Sequence, residues 1–150
     1  MFGNVNAARF LLEAGADKDK ADNDGRTPLF FACFHGHVEV VRLLVAAGAD
    51  KDKAEHYGVT PLWIASQNGH LEVVRVLVDA GADKDKARHD DSTPLYNACG
   101  EGHLEIVRLL VEAGADKDKA DDDGVTPLQI ARWSHHDEIV EMLQRAGATG

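Results

Sequence analysis

The sequence predicts an all-α solenoid, built from stacked helix pairs that are joined by hairpin loops. Two strings carry this prediction. GADKDKA occurs four times with a constant offset of 33 residues, at 15–21, 48–54, 81–87 and 114–120. TPL recurs with the same offset, at 27–29, 60–62, 93–95 and 126–128. A helix pair of this size cannot bury its apolar face alone, whereas stacked neighbours can.

The first helix of each unit is predicted to begin at the TPL string. Threonine is a favoured N-cap residue, and proline suits the first helical position. The helix is short, because a Gly-His pair follows at 36–37, 69–70 and 102–103. Leucine and alanine recur three positions apart and therefore share the face that points to the core. These core residues are Leu29, Leu62, Leu95, Leu128, Ala32, Ala65, Ala98 and Ala131.

The second helix follows the Gly-His pair and carries its apolar residues on one face. In the unit that contains residue 70, these residues are Leu71, Val74, Leu77 and Val78. A glycine then ends the helix, and the polar stretch after it is predicted to be a loop.

The chain is interpreted as a single domain, 1–150, with special units at its two ends. The predicted units are a partial N-terminal unit at 1–21, full units at 22–54, 55–87 and 88–120, and a C-terminal cap at 121–150. Residues 3–14 align only with a second helix. The last helix carries extra polar residues, as an outward-facing cap requires.

Composition excludes several classes of protein. The 150 residues carry a formal charge of -10, which argues against nucleic acid and anionic membranes as partners. Two cysteines cannot form a disulfide framework, and no apolar run approaches the ~20 residues of a membrane span. No targeting signal is visible. A soluble protein of cytoplasmic type is expected if the chain is natural, with the compartment left open.

No metal site, cofactor site or catalytic group is predicted. The histidines lack the spacing of converging ligands, and the DNDG and DDDG stretches lack the terminal acids of a calcium loop. Cys33 and Cys99 are equivalent positions two units apart, so ~16–20 Å should separate them. That distance is too long for a disulfide, and both are expected to be small buried residues. The DKDK runs are expected to stay solvated.

The repeated motifs D-x-x-G-x-T-P-L-x-x-A and G-H-[LV]-E-[VI]-V resemble the ankyrin repeat over residues 3–147. This resemblance implies a curved stack with hairpin loops along one edge. It also implies protein–protein binding through loop tips and the concave face of the first helices. The verbatim loops are similar to those of designed, consensus-built ankyrin proteins, and recent gene duplication is the alternative.

The aromatic residues lie mostly where the units differ. The chain has nine of them, two Trp, two Tyr and five Phe, and seven occupy positions that vary between units. In the family the residue after TPL is usually a histidine that ties adjacent loops together. Here that position holds Phe30, Trp63, Tyr96 and Gln129. This departure puts the family's usual loop bracing in doubt, and we expect the three rings to form a solvent-exposed ladder on the concave side.

The predicted binding surface combines these rings with polar residues and loop tips. Trp63, Tyr96 and Phe34 would form its apolar centre, since Trp and Tyr are enriched among interface hot spots. Asp91 replaces a turn glycine, so the third full loop is expected to be distorted or tuned for contact. Phe31, Ile64, Ile130 and Trp133 are left open between contact and packing. The whole predicted surface is Phe30, Phe34, His35, His56, Tyr57, Val59, Trp63, Gln67, Asn68, His89, Asp90, Ser92, Tyr96, Asn97, Glu101 and Trp133.

The leading functional hypothesis is an engineered, non-catalytic module that holds a folded protein partner against this surface. A rigid stack pre-orders its side chains, so less entropy is lost on binding. The acidity favours a neutral or basic partner. The alternatives are a homodimer through the same patch, a plain consensus scaffold, and, least favoured, an enzyme.

Overall fold

The computed structural model describes residues 5–150, so residues 1–4 of the predicted partial unit lie outside the described residues. The described part contains only helices and loops, and its all-α class confirms the prediction. The helices are α1 (Val5–Glu13), α2 (Pro28–Phe34), α3 (Val38–Ala46), α4 (Pro61–Gln67), α5 (Leu71–Asp79), α6 (Pro94–Glu101), α7 (Leu104–Glu112), α8 (Pro127–Trp133) and α9 (Asp137–Arg145).

The helices form two parallel rows. The first helices α2, α4, α6 and α8 contact one another in that order, and the second helices α1, α3, α5, α7 and α9 do the same. Within each unit the first helix also packs on the second. This arrangement is the predicted solenoid of stacked helix pairs.

The predicted N-caps are confirmed. Each TPL threonine has an extended backbone, and its hydroxyl oxygen accepts a hydrogen bond from the backbone N–H three residues later. The donor–acceptor distance is 3.2 Å at Thr27 and 3.1 Å at Thr60. These bonds fix where each first helix begins, and thereby the direction of the residues that follow TPL.

The predicted core positions are confirmed. The four TPL leucines and the four alanines three positions later are 0–2% exposed. In α5, Val74 and Leu77 are buried as expected, whereas Leu71 and Val78 are only partly buried. Val73 and Val76 are buried instead, because this helix packs between α3 and α7 and buries more than one stripe.

The Gly-His pairs lock neighbouring units together. The His70 Nε2 donates to the Phe34 carbonyl at 3.0 Å, and His103 reaches Gln67 in the same way at 2.9 Å. Gly36 adopts a left-handed backbone with φ of 72°, and a Cβ there would lie 2.6 Å from the His70 ring. Glycine therefore both ends the first helix and admits the imidazole of the next unit.

The DKDK runs stay exposed or partly exposed, as expected, and they also join neighbouring units. The second aspartate of each run accepts a hydrogen bond from the backbone of the next unit. The Asp19 carboxylate accepts from the Asp50 N–H, and the Asp52 carboxylate accepts from the Asp83 N–H, both at 2.8 Å. The last lysine of three runs reaches back to a carbonyl of the preceding unit, as Lys53 does to the Asp19 carbonyl at 3.1 Å. Repetition of these residues thus has a structural reason.

The third full loop is not distorted. Asp91 has φ of 59°, in the region that its glycine counterparts occupy. The turn keeps the same two backbone bonds as the other loops, from Arg88 N–H to the Ser92 carbonyl and from Asp91 N–H to the Arg88 carbonyl. An aspartate tolerates the left-handed region better than most residues, so it fits the common turn.

Candidate functional site

The predicted ladder of rings is largely buried. Phe30 is 7% exposed and Trp63 is 3% exposed, and Tyr96 is half-buried. The expectation that Phe30 and Trp63 line a wet concave wall is therefore wrong. The following unit helps to cover Trp63, since its Ser92 carbonyl accepts a hydrogen bond from the indole.

Trp63 joins its unit to the next loop, as the histidine at this position usually does in the family. Its indole Nε1–H donates to the Ser92 carbonyl at 3.0 Å, in the loop of the next unit. The guanidinium of Arg88 lies 5.5 Å from the centre of the Trp63 ring, a cation–π arrangement. Ser92 is itself only 4% exposed. Ser92 and Trp63 are thus structural residues, and neither presents a side chain that a partner could bury.

Tyr96 lies near the Asp121 carboxylate of the following loop. Burial raises the pKa of Tyr96 above its usual range, and a hydrogen bond to the Asp121 carboxylate raises it further. Gln129, the next residue in this column, turns back to its own helix start and accepts from the Thr126 N–H at 2.9 Å. Loop bracing is therefore kept at Trp63 by chemistry other than histidine.

Three aromatic side chains of the predicted surface remain exposed. Tyr57 is 68% exposed, Trp133 is 64% exposed and Phe34 is 44% exposed. Phe34 makes an edge-to-face contact with His35, with ring centres 4.9 Å apart, and His35 stacks on His37. Trp133 does not cover the core of the last unit, because most of its ring faces solvent.

These exposed rings are separated rather than continuous. Phe34 and Trp133 occupy equivalent positions three units apart, which corresponds to about 24–30 Å at the usual spacing of packed helices. Gln67 and Gly100 lie between them in the same row. A Cβ on Gly100 would lie 3.3 Å from Ile130, so the next helix packs closely against this glycine.

The polar candidates divide by exposure. His35, Asn68 and Glu101 are exposed at the ends of first helices, and His56 and His89 are exposed in loops. Several of them also join units, since the Asn68 amide donates to the Phe34 carbonyl at 3.0 Å. The half-buried candidates are Val59, Gln67, Asp90, Tyr96 and Asn97.

The four residues that the sequence left open between contact and packing differ in their exposure. Ile64 is 7% exposed and belongs to the core. Phe31 and Ile130 are half-buried and face the unit before them. Only Trp133 of this group is mostly exposed.

The sequence missed one exposed feature, on α1. Phe10 is 70% exposed and Leu11 is 55% exposed. The signal was present, because Leu11 aligns with Leu44, Leu77, Leu110 and Leu143, which are all core residues. Leu11 thus occupies a position that is buried in the other units, yet it is exposed on α1 and forms an apolar surface there.

Titratable groups show no arrangement typical of catalysis. In residues 5–150, no group of three or more His, Cys, Asp or Glu side chains converges as a metal site would require. Burial raises the pKa values of the Cys33 and Cys99 thiols well above their usual range, so neither is a ready nucleophile. The described helices are also all too short to cross a membrane.

Comparison with protein families gives one finding. A family model described as ankyrin repeats, in 3 copies, matches residues 1–88 and residues 81–149. A comparison with curated proteins gives no match.

Proposed function

Because the chain belongs to the ankyrin repeat family, we propose that it is a non-catalytic module that binds a folded protein partner. Ankyrin repeats are generally protein–protein interaction modules, and their fold is typically a non-catalytic scaffold. The proposal concerns this particular chain and the surface that it uses.

One observation carries the proposal. The stack buries Phe30 and Trp63, yet it leaves Phe34, Tyr57 and Trp133 in solvent. Large aromatic rings are preferred anchors at protein interfaces, and here they lie on a rigid frame. The proposed surface is defined by these three rings with the exposed polar residues His35, His56, Asn68, His89 and Glu101 around them. We name it the aromatic–polar face.

The net charge of the chain favours partners of one charge type. The formal charge is -10, so a neutral or basic protein is favoured over an acidic one. Its association rate should fall as salt rises, since long-range attraction between unlike charges is screened.

The test is binding of a selected partner to matched variants. A folded protein chosen for affinity to the wild-type chain is titrated against the triple variant Phe34→Ala, Tyr57→Ala, Trp133→Ala. Loss of the hot-spot rings should weaken binding by about tenfold or more per dominant ring. The matched control is Phe10→Ala with Leu11→Ala, which removes exposed apolar area on α1 and leaves the aromatic–polar face intact. Equal affinity of the wild-type chain and the triple variant would contradict the proposal.

Self-association is the alternative outcome, and sedimentation at rising concentration measures it. We expect a monomer up to about 100 µM, a range in which only weak association would be missed. The exposed rings are too far apart to form the dense patch on which the homodimer hypothesis depended. A dimer that the triple variant dissolves would favour self-association instead.

The origin of the chain belongs to the same proposal. An engineered, consensus-built chain was inferred from loops that repeat verbatim. The second aspartate of each run and the second lysine of three runs make hydrogen bonds to a neighbouring unit, so selection for stacking would also keep them alike. Repetition therefore supports an engineered origin less strongly than the sequence suggested, and gene duplication accounts for it equally well.

A further inference from the structure

One dipeptide, Asn68–Gly69, places an exposed asparagine directly before a glycine. No other asparagine among the 150 residues precedes a glycine. Asn68 is exposed and ends α4 as its C-cap residue, with φ of -83° and ψ of 0°. Gly69 has φ of 75°, a left-handed conformation that suits a residue without a Cβ. An asparagine in this sequence can react with the backbone that follows it, because glycine offers the least steric hindrance to the attack.

The reaction needs no enzyme and consumes only water. The Gly69 backbone nitrogen attacks the carbonyl carbon of the Asn68 side chain and forms a new C–N bond. The side-chain amide leaves as ammonia, taking the proton of the Gly69 N–H, and a cyclic imide remains. Water then adds to one of the two imide carbonyls. Addition at the side-chain carbonyl gives aspartate, whereas addition at the main-chain carbonyl gives isoaspartate, with one extra carbon in the backbone.

The folded geometry restrains both reacting groups. The Asn68 Nδ2 donates to the Phe34 carbonyl at 3.0 Å, which holds the side chain against the preceding unit. The Gly69 N–H donates to the Ser66 carbonyl, at a distance of 3.4 Å that is long for a hydrogen bond. With ψ of 0°, the Gly69 nitrogen eclipses the backbone nitrogen of Asn68 rather than its Cβ. Ring closure therefore requires rotation about ψ, and the end of α4 must open first.

Histidines of two units resist this opening. The His70 Nε2 donates to the same Phe34 carbonyl at 3.0 Å, and the His103 Nε2 donates to the Gln67 carbonyl at 2.9 Å. The His103 ring also packs on Gly69, where an added Cβ would lie 2.6 Å from its Cε1. The backbone around Gly69 is thus fixed from both sides. The rate of reaction should follow the fraction of time for which this segment is open.

An aspartate at position 68 should fit the stack. Glu101 holds the same position one unit later, is exposed, and makes no side-chain hydrogen bond or ion pair within residues 5–150. At that junction the Gln67 carbonyl accepts from His103 at 2.9 Å, and Glu101 does not contribute. A carboxylate at this position is therefore compatible with an intact junction.

An isoaspartate should not fit. Its extra main-chain carbon would lie between residue 68 and Gly69, at the point where Gly69 contacts the His103 ring. Displacement of Gly69 also displaces His70, the next residue, from the Phe34 carbonyl of the preceding unit. One change in the backbone thus affects the junctions on both sides of α4.

We propose that Asn68–Gly69 is a self-modification site. The pair deamidates to aspartate or isoaspartate when the end of α4 opens, and the isoaspartate form leaves the two junctions around α4 loosened. Each event adds one negative charge to the aromatic–polar face, to which Asn68 belongs. The reaction requires no partner, so it does not depend on the proposed function.

Peptide mapping by mass spectrometry measures the reaction. The wild-type chain is incubated in mildly alkaline buffer, which favours deprotonation of the attacking nitrogen. We expect Asn68 to react at least about tenfold faster than Asn97, which precedes an alanine and whose amide donates to the Thr93 carbonyl within α6. The chain unfolded in urea should react at Asn68 faster still. If Asn68 stays unmodified in the folded chain while the unfolded chain reacts fully, the proposal is overturned.

A matched pair of variants tests the dependence on opening. His103→Ala removes the imidazole that packs on Gly69 and should speed the reaction about fivefold, the factor that loss of one hydrogen bond gives in an opening equilibrium. His136→Ala removes the equivalent imidazole one unit later, which packs on Gly102, and should leave the Asn68 rate unchanged. Equal rates in the two variants would contradict control by this junction.

The stability of the products tests the second half of the proposal. The isoaspartate form is purified from aged chain by chromatography and compared with the variant Asn68→Asp, which carries the same charge. We expect its Tm to lie about 2–4 °C lower, as for the loss of one hydrogen bond in a chain of this size. The His70 amide should also exchange its hydrogen faster. An isoaspartate form as stable as Asn68→Asp would show that the junctions are not loosened.

Discussion

The indole N–H of Trp63 lies 3.0 Å from the Ser92 carbonyl oxygen, and this bond joins one unit to the loop of the next. The Ser92 hydroxyl lies 3.3 Å from the same nitrogen, so the indole has two acceptors within reach. Trp63, which the sequence suggested would bind a partner, is therefore a structural residue that joins two units.

Truncating Trp63 should destabilise the protein. Trp63→Ala would leave a large cavity in the core and lower the free energy of unfolding by about 3–5 kcal/mol. Trp63→Phe keeps most of the ring but loses the hydrogen bond, at a cost of roughly 1–2 kcal/mol. Urea denaturation measures both. Tyr57→Ala, at an exposed ring, should change stability by less than about 0.5 kcal/mol. Wild-type stability of Trp63→Ala would show that the ring is not core.

The loop aspartates should stabilise the stack although they are mostly exposed. Asp52→Ala removes the acceptor of the Asp83 N–H and should cost about 1 kcal/mol of unfolding free energy. The Asp83 amide should also exchange its hydrogen faster. Asp123→Ala is the matched control, because no bond to a neighbouring unit involves that side chain among the described residues. Equal exchange rates in the wild-type chain and in Asp52→Ala would refute the role of the aspartate.

A buried hydroxyl distinguishes one unit from its neighbours. Ser66 is fully buried, and its Oγ has no hydrogen-bond partner within residues 5–150. Ser66→Ala should leave stability unchanged or raise it by up to about 1 kcal/mol, since no bond is lost. Cys99 is the equivalent residue one unit later, and Cys99→Ser should lower stability by about 1–2 kcal/mol. Thermal unfolding compares the two, and a drop for Ser66→Ala would reveal a partner for the hydroxyl.

Acid should weaken the last junction. The Thr149 backbone N–H donates to the Asp118 carboxylate and, with the Thr149 hydroxyl, holds the pKa of Asp118 below its usual value of 3.8. The folded pKa lies below the unfolded one, so the stabilisation exists above pH 3.8 and disappears as the pH falls through the folded pKa. The Tm difference between the wild-type chain and Asp118→Asn should therefore be largest near neutral pH. A difference that persists at pH 2 would mean that ionisation of Asp118 is not its cause.

The sequence predicted the helices and the core well, because those features are local. A threonine before Pro-Leu caps a helix by bonds within four residues, and the leucine and alanine spacing defines a face without knowledge of the neighbours. The direction of Trp63 is different. It depends on where the next loop lies, and only the assembled stack brings Ser92 to the indole.

The binding surface was harder to predict for the same reason. Variation between units identified Phe34, Tyr57 and Trp133, which remain exposed, but also Phe30 and Trp63, which are buried. A position can vary because it contacts a partner or because it adapts to a different neighbouring unit. The DKDK runs show the converse, since polar residues that look solvated make bonds across 31 and 34 residues.

The Gly-His locks and aspartate bridges connect only adjacent units, and the hydrogen bonds within residues 5–150 span no more than 36 residues. Nothing in that network ties one end of the stack to the other. Under mechanical tension at its two termini, such a chain would lengthen in discrete steps as successive units peel away, rather than rupturing as one body. On release, each step could be retraced from whichever units were still intact.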